Sequence, residues 1–206
     1  MKIIFFDIDG TLICGGSELM SESTKEAIRI ARANGHICMI NTGRTKRLVG
    51  ENLTGQVEFD GLLLGCGTEI EYHGKQLMHK TFSMEESKAI LTAMKKYHVD
   101  AVLEGSREDY APRGEEVFTD TFRHMAREIE NRKYDRYANA PGNYDKLYAY
   151  AETPAGMVGM KHDLSEILDF IDREQGFYEI VPKGYSKATA CLLYTSDAAD
   201  DMQCVD

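Results

Sequence analysis

Asp7 and Asp9 stand two positions apart in Asp7-Ile8-Asp9-Gly10-Thr11-Leu12, directly after a short apolar run from Lys2 to Phe6. If the chain curls there, both carboxylates face one crevice. Gly10 supplies the backbone freedom for that curl, and the Thr11 hydroxyl can hold the loop by a hydrogen bond. Two carboxylates this close repel each other, and a bound divalent cation relieves the repulsion. A hard cation such as Mg²⁺ favours oxygen ligands and commonly keeps waters and a phosphate in its shell. Beside it, one carboxylate can attack phosphorus while its neighbour handles the proton of the leaving group. A bare Asp-x-Asp is common in ordinary loops; D-I-D-G-T-L straight after an apolar strand is far more specific.

A second polar group, Asn41-Thr42-Gly43-Arg44, closes the next apolar run. A hydroxyl and free backbone N–H groups at a helix N-terminus form a cradle for phosphate. Taken alone, Thr-Gly fits a plain strand-to-helix turn equally well. His73, His79, His98 and His124 show no metal-ligand spacing and take no role.

The elements that must position these groups follow from periodicity. Lys2 to Phe6 and His36 to Thr42 lack polar alternation and predict strands buried on both faces, as in a parallel sheet. Between them Ser21 or Ser23 can cap a helix whose apolar stripe includes Ala27, Ile28 and Ala31, with Gly35 as its stop. A second helix is expected from Gly43-Arg44 through Leu53, then a third strand at Leu62 to Leu64. Strand, helix, strand, helix, strand is the signature of a doubly wound α/β domain, which binds ligands at the carboxyl ends of its strands. Both polar groups lie at such ends.

Beyond this point the pattern changes. Glu69 to Tyr72 and Lys75 to His79 predict a hairpin turning at His73-Gly74. Helices are expected at Ser83 to Tyr97, opened by a Ser83/Glu86 capping box, at Glu116 to Asn131 and at Leu164 to Arg173. Strands are expected at Val99 to Leu103, Leu147 to Ala151 and Phe177 to Val181. The segment from Phe82 to Ile180 thus reads as a second α/β module inserted into the first.

In its strand context, D-I-D-G-T-L resembles the first catalytic motif of the haloacid dehalogenase superfamily of phosphohydrolases. The resemblance implies that Asp7 is the nucleophile forming an aspartyl-phosphate. Asp9 is then the acid for the leaving oxygen and afterwards the base for water. Mg²⁺ would be held by the Asp7 side chain and the Asp9 backbone carbonyl. Thr42-Gly43-Arg44 resembles the second motif, with Thr42 binding the transferring phosphoryl group and Arg44 steering the anion. Lys187, within Gly184-Tyr185-Ser186-Lys187, resembles the third-motif lysine, the cation that offsets transition-state charge.

Spacing refines the resemblance. Only one helix separates Asp7 from Thr42, whereas the stretch from Thr42 to Lys187 far exceeds one strand and one helix, so a cap is inserted after the second motif. With Gly67 to Lys75 this is similar to the Cof-type branch, whose members dephosphorylate sugar phosphates, nucleotides or cofactor phosphates, the cap closing to exclude water. One departure is Cys66-Gly67-Thr68, where many relatives have Asn-Gly-Ala.

A fourth motif, Gly-Asp-x-x-Asn-Asp, should follow Lys187 after a helix and a strand. Only Ala188 to Ser196 precede the candidate Asp197 and Asp201, too few residues for both elements. Cys191 to Asp200, CLLYTSDAAD, can instead be read as the translation of a transposase adapter from sequencing libraries. The natural chain is therefore expected to end near Ala190. The expected fold class is α/β: an incomplete doubly wound parallel (Rossmann-like) core, residues 1–81 and 181–190, an inserted α+β cap, residues 82–180, and a non-native tail, residues 191–206.

Composition bounds the function. Of 206 residues, 34 are acidic and 24 basic, a net charge of −10 that argues against general nucleic-acid binding. Charges interrupt every hydrophobic run before the ~20 apolar residues of a membrane helix, and the early Asp7 does not suit a secretory signal. Five cysteines without a Cys-x-x-Cys pair suggest reduced thiols. The expectation is a cytoplasmic Mg²⁺-dependent phosphatase acting on a small phosphorylated metabolite, with no nucleic-acid or membrane partner. For want of the fourth motif, this chain itself should bind Mg²⁺ poorly and turn over little. A phosphomutase on the same scaffold and a non-catalytic phosphate-accepting signalling module are the alternatives.

Overall fold

The computed structural model describes all residues except Gly16, Lys133, Ala138, Asn139, Pro141 and residues 202–206, and it describes residues 126 and 196–201 by backbone alone. The chain forms two compact units, one of residues 1–79 and 185–206, the other of residues 80–184.

In the first unit, β1 (Ile3–Phe6), β2 (Ile37–Asn41) and β3 (Gly61–Leu64) run parallel in that order, and β4 (Glu69–Tyr72) and β5 (Lys75–His79) extend the sheet antiparallel. Both faces of the sheet are covered. On one, α1 (Glu22–Ala33) and α2 (Lys46–Thr54) bury Ile28, Val49 and Leu53 against Cys38, Ile40 and Leu64. On the other, α6 (Lys187–Asp201) packs Ala190 and Tyr194 onto Met39, Leu63 and Ile70. This two-sided burial is why β1 and β2 read as continuous apolar runs.

Local chemistry sets the helix ends. The Ser21 hydroxyl accepts the Thr24 N–H at 3.1 Å, and α1 stops at Asn34 before Gly35, whose φ is +76°. α2 starts at Lys46 with Thr45 at its cap, two residues later than expected, because Thr42 to Arg44 are used in loop hydrogen bonds. At the opening of α6 the Ser186 hydroxyl accepts the Thr189 N–H at 3.0 Å while the Ser186 N–H donates to the Thr189 hydroxyl at 2.8 Å.

The second unit is a six-stranded sheet in the order β10-β11-β9-β6-β7-β8. Its strands are β6 (Val99–Glu104), β7 (Asp109–Ala111), β8 (Asp135–Arg136), β9 (Lys146–Ala151), β10 (Leu168–Asp172) and β11 (Phe177–Pro182). Helices α3 (Met84–Tyr97) and α5 (Pro154–Leu164) supply Ile90, Met94, Met157 and Met160 to its main core. α4 (Asp120–Asn131) packs Phe122 and Ile129 in a smaller cluster with Val102 and Ala111.

Two expected elements are corrected here. The helix expected at Glu116 to Asn131 begins only at Asp120, because the Thr119 hydroxyl caps it while the buried Asp100 carboxylate accepts the N–H groups of Phe118 and Thr119. The helix expected at Leu164 to Arg173 is instead the end of α5 followed by β10. Leu164, Leu168 and Ile171 mimic helical spacing, but β10 pairs along its length with β11. Pro154 is tolerated at the first turn of α5, where its missing N–H costs nothing. No helix among the described residues is long and apolar enough to cross a membrane. Among the described residues, Cys14, Cys38 and Cys191 are in no disulfide.

Candidate active site

The loop after β1 folds tightly on itself. Thr11, Leu12 and Ile13 donate their N–H groups to the Ile8 carbonyl, and Gly10 donates to that of Ile13 at 2.9 Å. Ile8, Leu12 and Ile13 sink into the core, which leaves the intervening Asp9 exposed, while Asp7 is held beside the strand end. Gly10 has φ of +79°, the left-handed conformation its lack of a Cβ permits.

Each aspartate has a cationic partner from a distant part of the sequence. The Lys187 ammonium lies 2.8 Å from Asp7 Oδ2, and Asp7 Oδ1 accepts the Ile8 N–H at 2.8 Å. Arg44 grips Asp9 with both ends of its fork, Nε donating to Oδ2 at 2.9 Å and the terminal nitrogen to Oδ1 at 2.6 Å. Asp9 holds the guanidinium above its ordinary range. The four side chains are 26–62% exposed, so these pairs face solvent and exchange readily with an incoming ion.

Thr42 is 1% exposed, and its hydroxyl accepts the Arg44 N–H at 3.2 Å. Thr42 and Arg44 are tied in turn to the loop after β3, their carbonyls accepting the N–H groups of Cys66 and Gly65. Gly43 lies between them, partly exposed. Asp7, Asp9, Thr42, Gly43, Arg44 and Lys187 thus converge at the carboxyl ends of β1 and β2 and the start of α6. All belong to the first unit.

Asp7 and Asp9 supply only oxygen donors, the chemistry a hard cation prefers. Both carboxylates are accessible, and the turn uses the carbonyls of Asp7, Ile8 and Ile13. The donor set fits Mg²⁺ retaining most of its waters. Among the described residues no third acidic, cysteine or histidine side chain converges with them. The side chains of Asp197 and Asp201 lie outside the described residues.

Sequence reasoning missed Asn41, which donates to the Lys187 carbonyl, and the close approach of Gly67 to Ser186. A local signal was present for Gly67, a glycine three residues past the end of β3, but none for the partnership of Asn41 with Lys187.

Residues 4–198 match the family described as haloacid dehalogenase-like hydrolase. Among solved structures, BT1666 from Bacteroides thetaiotaomicron, one of the phosphatases of the HAD superfamily, is 20% identical with a TM-score of 0.80, over 97% of this chain and 73% of that one. BT4131, described as a subclass IIB sugar phosphatase, is 18% identical with a TM-score of 0.71, over 93% and 74%. A hypothetical protein from Geobacillus kaustophilus HTA426 is 22% identical with a TM-score of 0.72, over 96% and 75%. No curated protein matches. These structures share the fold, and because the family match spans both units from β1 into α6, the chain belongs to the haloacid dehalogenase-like hydrolases.

Proposed function

We propose that the site hydrolyses the phosphate monoester of a small metabolite by way of an aspartyl-phosphate on Asp7, with the inserted unit, residues 80–184, as its cap. The observation that carries this reading is the paired arrangement at the end of β1: Asp7 with Lys187 at 2.8 Å and Asp9 with a bidentate Arg44. Two acids and two mobile cations together can accept a phosphoryl group and neutralise its charge.

An Asp7 carboxylate oxygen forms the new bond to phosphorus as the ester oxygen departs. Lys187, already at Asp7, offsets the charge gathering on the phosphoryl oxygens, and the Thr42-Gly43-Arg44 turn orients them. Asp9 gives its proton to the departing oxygen and then takes one from the water that cleaves the acyl phosphate. Its pair with Arg44 has to open first, and an arriving phosphate is the natural competitor for that guanidinium. Mg²⁺, held by the Asp7 carboxylate and the Asp9 carbonyl, would add charge neutralisation at the phosphate. With two acidic donors among the described residues, affinity for the metal is expected to be low and turnover slow.

The test is inorganic phosphate release from a panel of sugar phosphates and nucleotides, with intact-mass detection of phosphorylated protein. Asp7→Asn should lower release by about 10³-fold or more and abolish the phosphorylated species, because an amide is a poor nucleophile. Retained release by Asp7→Asn removes Asp7 as the nucleophile.

A further inference from the structure

We infer that Asn41 is a positioning residue that sets Lys187 against Asp7, and that the protein gives up stability to keep it there. The inference rests on Lys187 being the cation that meets the phosphoryl group.

Asn41 is the last residue of β2 and is 8% exposed, following the fully buried Cys38, Met39 and Ile40. Its amide nitrogen donates twice, to the Lys187 carbonyl at 3.0 Å and to the Cys191 sulfur at 3.0 Å. The orientation of the amide is fixed, since only the nitrogen can donate to a carbonyl. Both acceptors lie in the first two turns of α6, so β2 grips this helix where it delivers Lys187. From the other side, the Ser186 carbonyl sits against Gly67, where any Cβ would overlap it. The backbone at Ser186 and Lys187 is thus held between the end of β2 and the loop after β3, and the Lys187 ammonium reaches Asp7 at 2.8 Å.

The same amide is a poor choice for stability. Its oxygen, Oδ1, is buried and has no hydrogen-bond partner among the described residues. A buried acceptor without a partner costs free energy that an apolar side chain of similar volume avoids. An asparagine kept for packing would be better replaced; one kept to hold the Lys187 backbone would not. Unpaired polar groups of this kind gather at functional sites.

Asn41→Leu separates the two roles, since it fills the same space without donors or an orphan acceptor. Calorimetric titration with orthovanadate, a phosphoryl mimic, in Mg²⁺ buffer is measured beside thermal melting for wild type, Asn41→Leu, Lys187→Ala and the double variant. Asn41→Leu should weaken orthovanadate about 5-fold, the worth of one lost hydrogen bond, with a melting temperature equal to or above wild type. Lys187→Ala should weaken it by more, and the double variant should match Lys187→Ala alone.

If Asn41→Leu and Asn41→Ala both lower the melting temperature by more than about 5 °C, or if the Asn41 loss persists without Lys187, Asn41 is structural and the inference is overturned. Unchanged binding by Asn41→Leu beside a clear loss in Lys187→Ala overturns it too, while leaving the proposed function standing. No effect of Lys187→Ala, or no orthovanadate binding by wild type, removes the role of Lys187 itself.

Discussion

Gly65, Cys66 and Gly67 all have positive φ, at +58°, +57° and +93°. Three left-handed residues in succession turn the chain sharply after β3. That turn brings the Gly65 and Cys66 N–H groups to the carbonyls of Arg44 and Thr42. Cys66 holds this conformation although it carries a Cβ, in a place that asparagine, which tolerates left-handed backbone better than most residues, would also suit. Gly67 is under a second constraint. An added Cβ would overlap the Ser186 carbonyl and lie 3.0 Å from Ala190 Cβ. Gly67→Ala should therefore destabilise the protein by about 2–4 kcal/mol, through backbone strain and overpacking together, in a denaturant titration. A loss below about 0.5 kcal/mol would mean that α6 moves away freely. At this scale the acidic loop was readable because its chemistry is local: strand, aspartates and glycine adjoin in sequence. The partnership of Asn41 with Lys187 spans 146 positions and has no local signature.

Elements are joined by a smaller set of side chains, and Asp60 is the clearest of them. It precedes β3, accepts the Cys38 N–H of β2 at 2.8 Å, and receives the Arg32 guanidinium from the last turn of α1 at 2.9–3.2 Å. Burial alone would push the Asp60 carboxyl up, but Arg32 and the Cys38 N–H reverse this and hold it below the usual aspartate value. A carboxyl depressed in the folded state contributes stability above its unfolded pKa of about 4, and that contribution is lost as pH falls through the folded value. The melting-temperature gap between wild type and Asp60→Asn should be largest near neutral pH and shrink steadily below about pH 4. A gap that stays constant down to pH 3 would show that the ion pair carries no linkage. The Ser83/Glu86 capping box was legible for the same reason as the acidic loop, being written in adjacent residues. β10 was not. Its spacing suits a helix as well as a strand, and only pairing with β11 in the folded chain decides between them.

For the whole molecule, the decisive property is that each unit has its own core. The main cluster of the second unit, from Phe82 to Ile180, is assembled entirely from residues 80–184. Its chain ends are fixed internally: Phe82 exchanges backbone hydrogen bonds with Asn143 and Tyr144, and the Lys183 N–H donates to the Ile167 carbonyl at 2.9 Å. An uninterrupted segment of about 100 residues with a closed sheet-and-helix core is of the size that folds alone. The first unit has no such independence, because α6 returns from beyond the second unit to cover Met39, Leu63 and Ile70. Expressed by itself, residues 80–184 should therefore give a cooperative thermal transition and a dispersed amide spectrum. Residues 1–79 alone should lack a sharp transition, since one face of their sheet is left bare. The measurements are circular dichroism melts and heteronuclear NMR on the two fragments. A second unit that proves unfolded in isolation would mean that its core depends on the rest of the chain. Cooperative folding of residues 1–79 would mean that α6 is dispensable to the sheet, and with it the clamp that Asn41 and Gly67 place on Lys187.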